Sequence, residues 1–290
     1  MKRRVSRAWT LTKIAFRIRH GYGQGELAAY IPWIGVRDLS SKGTSTRMWS
    51  PKTGRTMQFL SNIERDTFLI AEFREDFVDY WEQWPLDRNW TQWAAARLGR
   101  RHPIYIGGHL PVVMTVDGVL TLRHGEGVVR KAIDCKNVTA LENARTLEKL
   151  AITRLTLERL GLPHLLVTEE QTPPQVVKNI LWVRLATRKS LEIEPVPGAF
   201  DMWPMRMHRH LRLHGTEPQF ASMPLNKYCQ WFEAQHNLPR GLGLRFMKLL
   251  MWQHLVEFDL TVRAPETRPL RSLQLKAAPR FSAKSTLAGA

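Results

Sequence analysis

The stretch of this chain that most restricts its fold covers residues 112–136. Two segments in it are rich in Val, Met, Thr and Ile, which predicts two neighbouring β-strands, one around Asp117 and one around Asp134. Side chains two positions apart on a strand project from the same face, so Asp134 and Lys136 point together while Cys135 faces a core. Carboxylates beside an ammonium can hold a divalent cation and activate a water, which is chemistry suited to phosphodiesters.

Two acidic residues also have simpler explanations, which the sequence leaves open. Asp117 and Gly118 stand between apolar runs, and Asp-Gly is a common two-residue hairpin turn. Ser61 is followed three positions later by Glu64, which predicts a helix that begins with a capping box. A capping box requires no catalytic role for the glutamate.

The order of predicted elements favours an α/β domain. After the capped helix, an aromatic-rich strand is predicted to end before Pro85, and residues 86–103 are predicted to be an irregular crossing. The two strands follow, then a helix from near Glu142 to Leu160 and a strand at residues 164–168. Helix, three strands, helix and strand predict a mixed sheet flanked by helices.

The C-terminal part of the chain predicts a smaller, mostly helical domain. Thr172 and Pro173 fit the start of a helix, and residues 190–217 are predicted to be irregular. Two helices across the glycine-bearing turn at residues 237–243 then precede a short strand. This order is typical of a helix-turn-helix or winged-helix unit, and such units bind proteins as readily as DNA.

The net charge of +17 is concentrated near the two ends of the chain. Residues 1–55 hold 12 lysines and arginines against two acidic residues, and residues 262–290 hold six against one. Basic segments attract phosphate backbones without reading sequence, although solvated, partly disordered tails are the alternative. We therefore predict a basic N-terminal arm over residues 1–55, whose aromatic residues could instead dock on the next domain, and a basic flexible tail over residues 266–290. The candidate DNA contacts of the arm are Lys2, Arg3, Arg4, Arg7, Lys13, Arg17 and Arg19.

Cysteine usage and hydropathy indicate the compartment. The two cysteines, Cys135 and Cys229, cannot build a disulfide framework and lack the spacing of zinc ligands. No apolar run approaches the ~18 residues that a membrane span needs, and no signal-peptide core follows the basic start. These features predict a soluble protein of the reducing cytoplasm.

The candidate residues together resemble a known nuclease pattern. Glu64 on a helix, Asp117 on a strand and Asp134 with Lys136 on the next strand are similar to the PD-(D/E)xK pattern of restriction enzymes and repair nucleases. Several flanking motifs resemble those of the TnsA subunit of heteromeric cut-and-paste transposases, over roughly residues 56–265. These motifs are SNIE at 61–64, EQWPL at 82–86, VMTVD at 113–117, RTLEKL at 145–150 and LLMWQHLVEFDL at 249–260.

The resemblance implies a restriction-endonuclease-like domain over residues 56–170 and a winged-helix-like, partner-binding domain over residues 171–265. It implies a Mg²⁺-dependent endonuclease, with Mn²⁺ as a possible substitute, whose metal ligands are Glu64, Asp117 and Asp134. The catalytic set implied is Glu64, Asp117, Asp134 and Lys136. The sequence departs from its relatives at Gly118, where they usually carry a bulkier residue, and at Asp134, where some carry Gln.

In function, the resemblance implies cleavage of the non-transferred strand at the 5′ ends of a transposon. The implied partners are transposon-end DNA, a DDE transposase of TnsB type and an AAA+ ATPase of TnsC type, in the bacterial cytoplasm and on the nucleoid when bound to DNA. Two other classes stay open. One is a stand-alone restriction-like or structure-specific nuclease, and the other is a non-catalytic DNA-binding adaptor of a transposition complex.

Overall fold

The computed structural model divides the chain into two compact units, which meet in sequence between Pro173 and Pro174 and are called here the first and second unit. The structure describes residues 9–38, 44–187, 195–196 and 198–277. Within these ranges, no helix has both the length and the apolar character needed to cross a membrane.

The described part of the predicted N-terminal arm is folded. It forms helix α1 (Leu11–Arg19) and an antiparallel hairpin of strands β1 (Thr46–Ser50) and β2 (Arg55–Phe59). Trp33 is 1% exposed and packs with Ile14 of α1 and with Val113, which lies well beyond the arm. Trp33 therefore matches the alternative in which aromatic side chains of the arm dock on the domain, whereas Phe16 and Trp49 are exposed. Residues 1–8 and 39–43 lie outside the description.

The first unit is built on a four-stranded sheet. Its elements are α2 (Asn62–Phe73), β3 (Phe77–Pro85), α3 (Arg88–Arg97), β4 (Thr115–His124), β5 (Gly127–Cys135), α4 (Ala144–Arg159) and β6 (His164–Val167). The strand order is β3, β4, β5, β6, with antiparallel pairing except for the parallel pair of β5 and β6. The predicted mixed sheet flanked by helices is confirmed.

Alternation along the strands gives the sheet two buried faces. On one face, Phe68 of α2 packs with Tyr80 and with Ile133 of β5. On the other face, residues of α3 and α4, among them Ala94 and Ile152, pack with residues of β3 to β5. The two helical layers thus cover both faces of the sheet.

The prediction that residues 86–103 are irregular is wrong, because α3 lies there. Asp87 caps this helix by accepting hydrogen bonds from the backbone N–H groups of Asn89 and Trp90. The helix buries mainly small side chains, including Ala94 and Ala95, so its sequence lacks the stripe of large apolar residues that marks most helices.

The presence of a glycine at position 118 is explained by packing against Tyr80. A Cβ at this position would lie 2.1 Å from the hydroxyl oxygen of Tyr80 and 2.2 Å from its ring carbon Cζ. Tyr80 is fully buried between α2 and the sheet, so its ring lies across the backbone of β4 where a side chain would otherwise project. The departure at Gly118 therefore accommodates a local aromatic residue and leaves β4 regular.

The second unit is mostly helical, as predicted. Its elements are α5 (Pro174–Arg184), α6 (Met202–His214), α7 (Pro218–Ala221), α8 (Leu225–Gln235), α9 (Leu242–Trp252), β7 (Val256–Glu257) and β8 (Gln274–Leu275). The prediction of irregular chain over residues 190–217 is wrong where α6 lies, and residues 188–194 and 197 are outside the description. Pro204, Met207, His208 and Leu211 form the buried side of α6 at helical spacing, although proline and histidines obscure the pattern.

Helices α8 and α9 form a helix-turn-helix whose second helix is buried. The Glu233 carboxylate of α8 accepts hydrogen bonds from the backbone N–H groups of Gly241 and Gly243 at 2.9 and 2.8 Å, which satisfies the start of α9. A Cβ at Gly243 would lie 2.5 Å from the carbonyl oxygen of Cys229, so the helices cross closely.

The prediction of a flexible tail from residue 266 onward is wrong for residues 266–277, which are folded. Strand β8 pairs antiparallel with β7, and Leu270 is buried, so residues 266–277 belong to the second unit. Residues 278–290 lie outside the description.

Candidate active site

Asp117, Asp134 and Lys136 meet at one end of the paired strands β4 and β5. The register that pairs Gly118 with Ile133 brings Asp117 opposite Asp134. The Lys136 ammonium nitrogen lies 2.8 Å from Asp117 Oδ2 and 3.9 Å from Asp134 Oδ1. The strand prediction is confirmed, and the hairpin-turn alternative is excluded because Asp117 lies inside β4.

Further hydrogen bonds hold these side chains in place. Asp117 Oδ2 accepts a hydrogen bond from the Cys135 backbone N–H at 2.7 Å. Lys136 Nζ donates to the Cys135 carbonyl oxygen at 2.9 Å. His164 Nε2 on the neighbouring strand β6 lies 2.9 Å from Asp134 Oδ2. The cluster is therefore built into the sheet, with Cys135 buried on the opposite face as predicted.

Glu64 lies in the first turn of α2 and takes part in its start. Ser61 caps the helix by accepting a hydrogen bond from the Glu64 backbone N–H at 3.2 Å. The Glu64 carboxylate accepts from the Leu60 backbone N–H at 3.0 Å, and from the Gln83 side-chain amide at 3.3 Å. Its role at the helix start is thus real, and the same carboxylate also points toward the strands. We call Glu64, Asp117, Asp134 and Lys136 the acidic cluster.

Burial controls the charges of the acidic cluster. Burial and, second, the charge of Asp117 raise the pKa of Glu64 to about 7. Burial also raises the pKa of Asp134, although the hydrogen bond with His164 opposes the change. Burial lowers the pKa of Lys136, but the charges of Asp117 and Asp134 outweigh it and hold this pKa above its ordinary value. One ammonium therefore faces three carboxyl groups.

Two of the three carboxyl groups, those of Asp117 and Asp134, are placed so that they could bind one divalent cation together. Carboxylate oxygens are the ligands that Mg²⁺ prefers, and the facing positions of Asp117 and Asp134 put two of them together. The arrangement does not bring one oxygen each of Glu64, Asp117 and Asp134 within 4.8 Å of one another. The geometry thus favours Asp117 and Asp134 as the ligands that share a cation, with Glu64 set beside them.

A cleft of about 390 Å³ gives access to the cluster. Asp117, Asp134 and Lys136 line it, whereas Glu64 does not. Its opposite wall is a face of α4 that presents, at helical spacing, Thr146, Lys149, Leu150 and Thr153. The cleft therefore places hydroxyl groups and a second lysine opposite the acidic residues.

Sequence reasoning missed several of these groups. Thr146 and Lys149 lie inside the RTLEKL motif, and their spacing of three on a helix already puts them on one face. His164 directly begins β6, and only the parallel pairing of β5 with β6 brings it to Asp134. Gln83 reaches the cluster through a backbone conformation that no sequence pattern indicates.

The residues of the arm that were predicted to contact DNA differ in their exposure to solvent. Arg17 is 6% exposed, bonds to the Trp33 carbonyl and forms an ion pair with Asp38, so its prediction as a surface contact is corrected. Arg19 is exposed, and Lys13 is half-buried with its ammonium over the Trp9 ring. The remaining four lie outside the described residues, namely Lys2, Arg3, Arg4 and Arg7.

Comparison with known proteins finds similarity over the part of the chain that contains Asp117, Asp134 and Lys136. Residues 74–169 match the family model of the TnsA-like endonuclease N-terminal domain. The matched stretch contains Asp117, Asp134 and Lys136 and begins after Glu64. Over 180 residues the chain is 34% identical to the transposon Tn7 transposition protein TnsA of Escherichia coli, which covers 62% of this chain and 65% of that relative's length. The resemblance inferred from the motifs is confirmed.

Proposed function

We propose, from the match of residues 74–169 to the TnsA-like endonuclease N-terminal domain and the similarity to TnsA, that this chain cuts DNA with a divalent cation held at the acidic cluster. In full, we propose that it cuts the non-transferred strand at the 5′ ends of a transposon. The observation that carries the proposal is the convergence of Asp117, Asp134 and Lys136 on one cleft inside the matched domain.

The proposed cation is Mg²⁺, with Mn²⁺ as a substitute, and Asp117 and Asp134 would hold it, with the Glu64 carboxylate beside them. When bound, such a cation lowers the pKa of a water and offsets negative charge on the phosphate. The protein's part is to present oxygens on a rigid sheet, where hydrogen bonds from Cys135 and His164 fix the two aspartates.

Lys136 would supply a positive charge beside the scissile phosphate. In the cation-free site the charges of Asp117 and Asp134 hold the pKa of Lys136 above its ordinary value, so Lys136 is a protonated hydrogen-bond donor at neutral pH. From this position it can orient the attacking water and stabilise charge that develops on the phosphate oxygens. Lys149 lines the same cleft and can contact a neighbouring phosphate.

We propose that the chain works with a DDE transposase of TnsB type and an AAA+ ATPase of TnsC type, on DNA in the bacterial cytoplasm. The relative's name assigns that protein to transposition. Helix α9 of the second unit corresponds to the helix that would enter a DNA groove in a typical helix-turn-helix. Its residues Phe246, Met247 and Leu250 are buried inside the protein. This burial favours protein binding for the second unit.

The test is a reconstituted reaction. The chain is combined with a DDE transposase and an AAA+ ATPase from its genomic neighbourhood, and breaks are mapped on both strands at both transposon ends. We expect 5′ cuts only when this chain is present, and we expect Asp117→Ala to abolish them while 3′ cuts persist. Circular dichroism of Asp117→Ala should match the wild type.

Other results would overturn the proposal or change its class. Cuts at the 5′ ends that persist with Asp117→Ala would exclude the acidic cluster as the active centre. Mg²⁺-dependent cutting by the purified chain alone would indicate a stand-alone nuclease. DNA binding without any cutting, and unaffected by alanine at Asp134 and Lys136, would indicate an adaptor.

A further inference from the structure

Gln83 occupies an unusual backbone conformation next to the acidic cluster. It lies in β3 with φ of 49°, in the left-handed region that residues other than glycine rarely adopt. Such a conformation costs about 1 kcal/mol or more and persists only where its surroundings hold it. Here the Trp33 backbone N–H donates to the Gln83 carbonyl oxygen at 3.2 Å, and the side chain is almost fully buried.

The conformation directs the amide of Gln83 between two carboxylates. Its Nε2 lies 3.3 Å from Glu64 Oε2 and 3.3 Å from Asp117 Oδ1. Its Oε1 accepts a hydrogen bond from the Thr115 hydroxyl at 3.0 Å. Because the hydroxyl donates to the oxygen, the two N–H groups of the amide face the two carboxylates.

An amide suits this place for an electrostatic reason. Glu64 and Asp117 repel each other, and a neutral group with two donors can satisfy one oxygen of each without changing the net charge. A glutamate would add another negative charge, and a lysine would compete with a cation for the same oxygens. Glu64 is outside the cleft and Asp117 lines it, so the amide joins the two positions.

We propose that Gln83 is a positioning residue that sets Glu64 relative to Asp117 for cation binding, with Thr115 fixing the orientation of its amide. This inference rests on the proposed metal-dependent function. It also gives the N-terminal segment a role, because the backbone of Trp33 braces the conformation that Gln83 requires.

The test measures Mn²⁺ binding to the full chain by electron paramagnetic resonance, without DNA or partners. Gln83→Leu keeps the bulk of the side chain and removes the amide, and we expect Mn²⁺ affinity to fall about 10-fold. Gln83→Asn keeps an amide and tolerates the left-handed backbone, but it is one carbon too short to reach both carboxylates. It should fold as well as the wild type in urea denaturation and still bind Mn²⁺ more weakly.

A double-mutant cycle tests whether Thr115 acts on Mn²⁺ binding through Gln83. Thr115→Val alone should weaken Mn²⁺ binding, because the amide loses the donor that orients it. The same substitution in the Gln83→Leu background should have no further effect on Mn²⁺ affinity. If Thr115 instead affects Mn²⁺ binding by a route that does not pass through Gln83, the two effects should add.

The outcomes distinguish this inference from the proposed function. Wild-type Mn²⁺ affinity in both Gln83→Leu and Gln83→Asn would overturn the positioning role alone, and additive effects of the two sites would overturn the part assigned to Thr115. If the wild-type chain binds Mn²⁺ no better than Asp117→Ala does, the metal-dependent function fails and the positioning role fails with it.

Discussion

Two buried acidic sites, the single carboxylate of Glu82 and the acidic cluster, lie at the same sheet and differ in how their charges are matched. Glu82 on β3 is fully buried, and the Arg55 guanidinium contacts both of its oxygens, at 2.7 and 2.6 Å. The Gln58 backbone N–H donates to the same carboxylate at 3.1 Å. In the acidic cluster, one ammonium serves three carboxyl groups.

The difference in charge matching indicates that Glu82 has a structural role and that the acidic cluster is suited to binding a ligand. A buried carboxylate with a matched guanidinium is satisfied and has nothing left to offer a ligand. Glu64, Asp117 and Asp134 keep unmatched negative charge in a buried place, which destabilises the fold unless protons or a cation offset it. We therefore expect loss of the Arg55–Glu82 pair to reduce stability, and loss of Asp117 or Asp134 from the acidic cluster to reduce activity.

The largest expected effect on stability is at the matched pair. Glu82→Gln leaves the Arg55 guanidinium buried without a counter-charge, so we expect the free energy of unfolding to fall by about 3 to 5 kcal/mol in urea denaturation. Replacing both residues, with Arg55→Met and Glu82→Leu, should recover much of this loss. A Glu82→Gln variant that folds normally but no longer cleaves DNA would contradict the structural role of Glu82.

The second largest effect is expected in the pH dependence of the free energy of unfolding, through Glu64. Its pKa is about 7 in the folded protein against an ordinary value of 4.5, so the folded state retains a proton that the unfolded chain has lost between these values. Glu64 therefore contributes stability that is fully present below about pH 4.5 and is lost as the pH rises through about 7.

Glu64→Gln should remove this dependence. Without divalent cations, we expect the free energy of unfolding of the wild type, relative to that of Glu64→Gln, to fall by on the order of 3 kcal/mol between pH 4.5 and pH 8. Glu170→Gln, at an exposed glutamate, is the matched control and should show no such change. A pH-independent difference for Glu64→Gln would mean that burial and the charge of Asp117 do not raise the pKa of this carboxyl.

A smaller effect tests the strand that carries Asp117. Gly118→Ala places a Cβ against the Tyr80 ring, and we expect a loss of about 2 kcal/mol in the free energy of unfolding. Tyr80→Phe should not rescue it, because ring carbon Cζ remains in the way. Tyr80→Phe alone should be nearly neutral, since the hydroxyl has no hydrogen-bond partner among the described residues. Rescue by Tyr80→Phe would contradict the packing explanation.

The smallest effects compare two arginines of α1. Arg17→Ala should lower the free energy of unfolding by about 1 kcal/mol, because Arg17 bonds to the Trp33 carbonyl and to Asp38. Arg19→Ala, at an exposed position of the same helix, should leave stability unchanged. If the arm contacts phosphates, Arg19→Ala should also lower the salt dependence of DNA binding by about one unit of slope. Equal destabilisation by both substitutions would contradict this assignment.

The elements that sequence predicts best are those with a strong period. Alternation over residues 115–135 predicts the two strands and puts Asp134 and Lys136 together, and the helix over α4 follows from its apolar spacing and from Gly161. Helix α3 was missed because Thr91, Ala94 and Ala95 make a buried face without large apolar residues.

Parts of the candidate site depend on contacts that a linear pattern does not contain. Strand periodicity explains Asp117 and Asp134, whereas Gln83 needs a left-handed backbone held by Trp33 from a distant segment. His164 needs the parallel pairing of two strands that a helix separates. The burial of Arg17 was also hidden, because its partner Asp38 lies 21 positions away.

We propose above all that Asp117 and Asp134 hold a cation that supports DNA cleavage. The most direct measurement is a crystal structure of the chain with transposon-end DNA and Mn²⁺, with data collected at the manganese absorption edge. The account predicts an anomalous peak bound by Asp117 and Asp134, with a phosphate oxygen beside it and Lys136 within hydrogen-bond distance. A manganese peak elsewhere, with the two aspartates still paired only to Lys136 and His164, would contradict it.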